Sequence, residues 1–127
     1  MSFAYVDSSV LAAIVFRESG SESLNDWLDG FEDLMCSDLV EAEVRSACYR
    51  ENTDLAAGFF SNINWILPNR PLSAEIARVL ATGYLTGADL WHVATALYYA
   101  ADPGDVGFLT LDIRQRNVAE TLGFRVV

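Results

Sequence analysis

The sequence contains no lysine, so arginine supplies all eight of its basic residues. Reactions that depend on a lysine ammonium, as a nucleophile or as a charge-stabilising group, are therefore excluded. Acidic residues outnumber basic ones by 18 to 8, which gives a formal net charge of −10. Such a charge repels nucleic acid at long range and predicts attraction to a basic protein or to metal cations.

Cysteine and long apolar runs are also scarce. Cys36 and Cys48 are too few for a disulfide framework and lack the paired spacing of a zinc site, so we expect buried, reduced thiols. No segment approaches the roughly 18 consecutive apolar residues of a membrane span. The opening stretch MSFAYVDSS has no basic region ahead of an apolar run, as a signal peptide would. These absences predict a cytoplasmic protein with no membrane partner.

What the chain does have is enough apolar sequence, 52% of its 127 residues, to bury a core. No repeat or linker divides it, so we expect residues 1–127 to form a single domain. Short apolar runs alternate with longer segments of helical period, which predicts an α/β domain with a mainly parallel sheet. The predicted strands are 3–6, 34–36, 63–67, 106–111 and 124–127. The predicted helices are 8–16, 21–30, 38–50, 54–62, 73–82, 88–101 and 113–122, the last capped by Gly123.

Three aspartates stand where predicted strands end or helices begin. Asp7 ends FAYVD, Asp112 follows FLTL, and Asp89 opens the helix of LTGADLWHVATAL. Ligands of open parallel sheets bind beyond the carboxyl ends of the strands, which makes these side chains candidates for one site. Each could instead be only a helix N-cap. Ser8 and Thr110 are neighbouring hydroxyls that could orient the carboxylates.

A fourth acid, Glu43, is not explained by capping, because it lies more than one turn inside its predicted helix. It shares a helix face with three apolar residues, Leu39, Val40 and Ala47. An ionised glutamate facing a core is unfavourable unless it pairs with a base or binds a metal. A buried ion pair with an arginine and a metal site are therefore the two interpretations of Glu43.

The four acids together predict a site for a cation. Crowded carboxylates raise one another's pKa, so they are stable in ionised form only around a positive charge. Oxygen ligands without a cysteine or histidine set favour Mg²⁺ or Mn²⁺ over zinc. Such ions activate water and stabilise a phosphodiester during in-line displacement. The residues therefore indicate metal-dependent hydrolysis of a phosphate ester.

At these residues the sequence resembles the PIN-domain family, and more narrowly the VapC-type ribonuclease toxins of bacterial toxin–antitoxin pairs. The matching motifs are YVDSSVL, SDLVEAEV, GADLWHVATAL and FLTLDIRQRNVAETLGFRVV, in the family's order and over essentially the whole chain. The resemblance implies a three-layer α/β/α sandwich with a mainly parallel, five-stranded sheet. It also implies that the metal-binding quartet, catalytic in this family, consists of Asp7, Glu43, Asp89 and Asp112.

The resemblance further implies endonucleolytic cleavage of RNA, a VapB-like antitoxin and a homodimer. The acidic surface suits a basic antitoxin, and an antitoxin arginine among the carboxylates would block metal binding. RNA-binding proteins usually carry a basic surface, which this chain lacks. Arg45, Arg114 and Arg116 are near the quartet in sequence and are candidates for phosphate contacts, with scattered surface charge as the alternative. His92, one turn after Asp89, is expected to pack in the core and not to act in catalysis.

Other protein classes also gather acids at the strand ends of a parallel sheet. Phosphoacceptor receiver domains and haloacid-dehalogenase-like phosphatases do so, but both use a lysine beside the acids, and this chain has none. A catalytically weak or inactive PIN-like binding or scaffold protein stays open as an alternative. Clustered acids without a metal would destabilise such a fold, which argues for the nuclease.

Overall fold

The protein, seen in a computed structural model that describes residues 2–126, is an α/β fold built on a parallel sheet. The strands, in the spatial order β3-β2-β1-β4, are β1 (Phe3–Val6), β2 (Asp33–Ser37), β3 (Ile63–Ile66) and β4 (Val106–Leu109). The helices are α1 (Ser8–Val15), α2 (Ser21–Asp29), α3 (Asp38–Arg50), α4 (Ser73–Thr82), α5 (Gly87–Tyr99) and α6 (Ile113–Thr121). A short 3₁₀ turn, Pro103–Asp105, precedes β4.

Helices cover both faces of the sheet, so the predicted three-layer α/β/α class is confirmed. Successive side chains of a strand point to opposite faces. In β1, Ala4 and Val6 accordingly pack in one apolar core and Tyr5 in the other. The first core is completed by α1, α2 and α3, and the second by α4, α5 and α6. Among residues 2–126, no helix is long and apolar enough to cross a membrane.

The sheet has four regular strands over the described residues, where five were expected. In the last predicted strand, Arg125 makes an isolated parallel bridge to Gly107. Its carbonyl accepts a hydrogen bond from the Phe108 N–H at 2.8 Å, and its own N–H donates to the Val106 carbonyl at 3.1 Å. The segment thus extends the β4 edge through one residue without becoming a strand. Val127, the end of the predicted strand, lies outside the described residues.

The helix predicted at 54–62 is wrong, because residues 54–56 are irregular and residues 57–62 form consecutive turns. Gly58 has φ +77°, a left-handed conformation that interrupts a right-handed helix. The Phe59 N–H donates to the Ala56 carbonyl and the Ser61 N–H to the Gly58 carbonyl, each three residues back. The apolar residue Phe60 in this segment packs in the core with α1, α2 and α3 without any helix.

The carboxyl ends of the neighbouring strands β1 and β4 lie side by side, since Val6 of β1 pairs with Leu109 of β4. The chain leaves β1 at Asp7 and enters α1, and it leaves β4 at Thr110 and soon enters α6. Gly123, with φ +104°, follows the end of α6 in the left-handed conformation expected of a helix-capping glycine. The candidate site lies at this carboxyl end of the sheet.

Candidate functional site

One cleft at this edge brings the predicted carboxylates together. It has a volume of about 230 Å³, and its lining includes Asp7, Glu43, Asp89 and Asp112. They come from the end of β1, from α3, from α5 and from the start of α6. The fold therefore gathers side chains that are far apart in the sequence.

Asp7 and Asp112 are helix N-caps as well as cleft residues. Asp7 is 3% exposed, and its Oδ2 accepts a hydrogen bond from the Ser9 N–H at 3.1 Å at the start of α1. Asp112 caps α6 in the same way, with Oδ1 accepting from the Gln115 N–H at 2.8 Å. A carboxylate has about four acceptor positions on two oxygens, so a cap leaves room for a further ligand. Capping and metal binding are thus compatible at both residues.

Asp89 is not a cap, and the helix-cap interpretation of this residue is wrong. The N-cap of α5 is Thr86, and the helix begins at Gly87, earlier than the sequence pattern suggested. Asp89 therefore lies within the first turn. Burial raises the pKa of Asp89 above its ordinary value, and the charges of Asp7 and Asp112 raise it further.

Glu43 projects from α3 with its side chain 31% exposed. Its partner is a histidine and not the arginine that the ion-pair interpretation required. Its Oε1 lies 2.6 Å from Nε2 of His92, a residue of α5 that is completely buried. The same nitrogen lies 3.7 Å from Oδ1 of Asp7. His92 packs in the interior as expected, but it also touches the site.

Thr110 and Gln115 connect the carboxylates behind the cleft. The Thr110 hydroxyl accepts from the Asp112 N–H at 3.1 Å and lies 3.2 Å from Oδ2 of Asp7. It also lies 2.6 Å from Oε1 of Gln115. The buried Gln115 amide donates to the Asp89 carbonyl at 3.2 Å and reaches Oδ1 of Asp7 at 3.5 Å. This network links the starts of α1, α5 and α6.

The two serines after Asp7 have different surroundings. Ser8 lies on the cleft wall. The hydrogen bonds expected of Ser8 are made by Ser9 instead, whose backbone N–H donates to the Asp7 carboxylate. The Ser9 hydroxyl accepts from the Leu111 N–H at 3.0 Å and lies 3.4 Å from the Thr110 hydroxyl.

Gln115 was not predicted to be a site residue, although the sequence contains a signal for it. Gln115, Val118 and Ala119 have the spacing of one helix face, and all three are buried. A polar side chain on such a face needs a partner, which is the reasoning that identified Glu43. The same reasoning applies to His92, which lies among buried apolar residues of α5.

The three candidate arginines are placed differently. Arg45 donates to Glu41 at 2.8 Å and stacks over the Phe60 ring at 5.2 Å. Arg116 donates to the Thr110 carbonyl at 3.5 Å. Arg114 is exposed and lines a second cleft, which it shares with Asp89 and Asp112. Of the three, Arg114 is the free cation next to the carboxylates among the described residues.

The donor set fits a hard divalent cation. Carboxylate oxygens are the ligands that Mg²⁺ and Mn²⁺ prefer. A cation would offset the charges of Asp7 and Asp112, which add to burial in raising the pKa of Asp89. Within residues 2–126, no three acidic, histidine or cysteine side chains are arranged closely enough to hold one ion together. The carboxylates thus share a cleft, and ligation would require them to draw together.

Comparisons with known proteins agree with this architecture. The family model described as "PIN domain" matches residues 4–121, which include all the cleft carboxylates. The crystal structure of FitAcB from Neisseria gonorrhoeae is similar with a TM-score of 0.65 and 20% identity, over 97% of this chain and 95% of that one. The structure of FitAB bound to an IR36 DNA fragment has a TM-score of 0.65 and 19% identity, over 98% and 93%. No curated protein matches the sequence. At these identities the two structures establish the shared fold.

Proposed function

The chain belongs to the PIN-domain family, and on that premise we propose that it is an endoribonuclease that depends on Mg²⁺ or Mn²⁺. PIN domains are generally nucleases. The observation that carries the proposal is the single cleft lined by Asp7, Glu43, Asp89 and Asp112. Among residues 2–126, no arginine forms an ion pair with any of them, so their charge is available to a cation.

Each carboxylate would have a defined part in holding the ion. Asp7 and Asp112 are held by their caps, and Asp89 is carried in the first turn of α5. Thr110 would orient Asp7 and Asp112, since its hydroxyl lies between them, and Ser8 would face the ion from the cleft wall. When bound, the metal would activate water and stabilise the charge that develops on the phosphodiester.

The substrate's phosphates would meet the exposed Arg114 at the second cleft, next to Asp89 and Asp112. Arg116 and Arg45 would contribute less, because Arg116 donates to a backbone carbonyl and Arg45 is paired with Glu41. Arg114, the free arginine next to the carboxylates among residues 2–126, suits an enzyme that binds RNA through few contacts.

The VapC resemblance and the charge together support a toxin that works in the cytoplasm and is neutralised by a basic, VapB-like antitoxin. With a net charge of −10, the chain would attract such a protein. One of the similar structures, FitAB, is bound to a DNA fragment. In an assembly of that kind, the basic partner would have to supply the DNA contacts. We also propose that this chain forms a homodimer.

A catalytically weak PIN-like scaffold is the second candidate, because no three ligand side chains of residues 2–126 stand ready around one point. The deciding experiment is RNA cleavage by the purified chain with Mg²⁺ or Mn²⁺, with EDTA, and with Asp7→Asn. Asparagine caps helices as well as aspartate, so this variant removes charge without removing the cap.

Asp54→Asn, at an exposed aspartate in the turns before β3, is the matched control. Cleavage that needs metal, is lost in Asp7→Asn and is retained in Asp54→Asn would support the nuclease. Absence of both cleavage and metal binding in the wild-type chain would favour the scaffold.

A further inference from the structure

A buried chain of hydrogen bonds runs behind Glu43 and is not used by the function proposed above. Nε2 of His92 lies 2.6 Å from Oε1 of Glu43, and Nδ1 lies 2.6 Å from the Tyr5 hydroxyl oxygen. His92 and Tyr5 are both completely buried. The Tyr5 ring is held in place by stacking on Phe108, with 5.3 Å between the ring centroids.

The donors and acceptors give this chain a direction. The Ser37 N–H donates to the Tyr5 oxygen at 3.1 Å, which leaves the phenolic hydrogen free for Nδ1 of His92. Burial raises the pKa of Tyr5 far above its usual range, so the hydroxyl keeps that hydrogen. A ring whose Nδ1 accepts carries its hydrogen on Nε2. His92 therefore donates from Nε2 to the Glu43 carboxylate.

We propose that His92 is a positioning residue that orients Glu43 for the cation, and that Tyr5 fixes the tautomer of His92 that does so. The inference rests on the proposed function, because it takes Glu43 as a metal ligand. Hydrogen bonds behind a ligand fix its orientation, and their loss typically weakens metal binding about 10- to 100-fold. One Glu43 oxygen is used by His92, and the other remains for the ion.

The placement of these residues supports a role beyond packing. Tyr5 precedes Asp7 by two residues in β1, Ser37 is the N-cap of α3, which carries Glu43, and His92 lies one turn after Asp89 in α5. The chain of hydrogen bonds therefore joins the elements that carry three of the carboxylates. A histidine needed only for its volume would not require both ring nitrogens to be bonded at 2.6 Å.

Two amide variants separate positioning from packing. The His92→Gln side chain can place an N–H near the Nε2 position, whereas the shorter His92→Asn side chain reaches only the Nδ1 position. We expect His92→Gln to bind Mn²⁺ nearly as tightly as wild type in titration calorimetry, and His92→Asn to bind at least about tenfold more weakly. Tyr5→Phe, which removes only the hydroxyl, is expected to weaken binding several-fold.

Thr95→Val is the matched control. Thr95 is also buried in α5, and its hydroxyl has no hydrogen-bond partner within the described part of the chain. This variant removes a buried hydroxyl that does not lead to Glu43, so Mn²⁺ affinity should stay at the wild-type value. Thermal unfolding of every variant without metal shows which of them are folded, and Tyr5→Phe decides the matter if His92→Asn is unfolded.

A second readout does not depend on metal. His92 is the one histidine of the sequence, so long-range ¹H–¹⁵N correlation spectra report its tautomer without ambiguity. The wild-type ring should carry its hydrogen on Nε2, and Tyr5→Phe should weaken this preference, because only the more distant Ser37 hydroxyl, 3.4 Å from Nδ1, then remains as a donor. A hydrogen on Nδ1 in the wild type, or equal Mn²⁺ affinity in all folded variants, would overturn this inference alone. A wild-type chain that binds no Mn²⁺ would overturn the proposed function and this inference with it.

Discussion

Glu75 and Asp89 occupy the same position in neighbouring helices, yet their pKa values move in opposite directions. Each is the third residue of its helix, in α4 and α5 respectively, where the helix dipole favours a negative charge. Arg70 forms a two-point hydrogen bond to Glu75 and lowers its pKa to about 2. Burial and neighbouring acids raise the pKa of Asp89. The surroundings outweigh the local helix position, and they separate an acid that stabilises the fold, Glu75, from Asp89, which we propose as a metal ligand.

The sharpest test of this contrast replaces each acid by its amide. Asp89→Asn should reduce metal-dependent RNA cleavage by about 100-fold or more, because it removes a proposed ligand. Without metal, this variant should unfold at the wild-type temperature or above, because burial and the neighbouring acids disfavour the charge of Asp89 in the folded state. Glu75→Gln should keep full cleavage and unfold at a slightly lower temperature. Equal activity of the two variants would contradict the distinction.

Metal should stabilise only the chain that retains the cleft carboxylates. At a concentration 100 times the dissociation constant, a ligand stabilises the folded state by about 2.7 kcal/mol. Thermal unfolding with and without Mn²⁺ should therefore show a clear rise in midpoint for wild type and Glu75→Gln. Asp89→Asn should show little rise, and a rise equal to that of wild type would remove Asp89 from the ligand set.

The contribution of Glu75 should depend on pH in a defined window. Its pKa is lowered in the folded state from the ordinary 4.5 to about 2, so the stabilisation is fully present above the ordinary value. The stabilisation should decline as the pH falls from 4.5 to about 2. Over this interval Glu75 is already protonated in the unfolded chain and becomes protonated in the folded protein as well. The gap in unfolding midpoint between wild type and Glu75→Gln should close accordingly. A gap that widens on acidification would show that Arg70 is not the cause.

The smallest expected effect concerns two arginines: Arg45, which is paired with Glu41, and Arg114, which lies free beside Asp89 and Asp112. Each phosphate contact with single-stranded nucleic acid contributes about 0.7 to the slope of log K against log salt. Arg114→Gln should reduce the slope for RNA binding by about this amount. Arg45→Gln, whose charge is already matched by Glu41, should leave it nearly unchanged. Fluorescence anisotropy of a labelled RNA with Asp89→Asn, to prevent cleavage, measures both.

The alternation of apolar runs and helical periods was sufficient to predict most of the fold. Buried strands of a parallel sheet have short apolar runs, whereas amphipathic helices have a helical period of apolar residues. These two patterns predicted the positions of β1 to β4 and of α1 to α6. The helix predicted at 54–62 failed because Gly58 adopts a left-handed conformation that composition alone does not impose. The fifth strand failed because its pairing depends on the edge of β4, which is a long-range property.

The site was predictable where chemistry follows from position along the chain. Asp7 and Asp112 follow strands, and Glu43 breaks an apolar helix face. The contacts that tie His92 and Gln115 to the site were not foreseen, because they reach segments distant in sequence. His92 contacts Glu43, and Gln115 contacts Asp7 and Asp89. Tyr5, for example, is 87 residues away from His92. A polar side chain on an apolar helix face predicts that a hydrogen-bond partner exists, but the fold determines which residue that partner is.

The double use of Asp7 and Asp112 as caps and cleft residues has a genetic consequence. An aspartate codon becomes an asparagine codon by a single change of G to A at its first base, and asparagine caps a helix equally well. A cell that carried a harmful nuclease of this design could silence it in one mutational step and still make a folded protein. That protein could go on binding the proposed antitoxin. On the proposed function, an active and a silent form of the chain would therefore be one base change apart, and both would be folded.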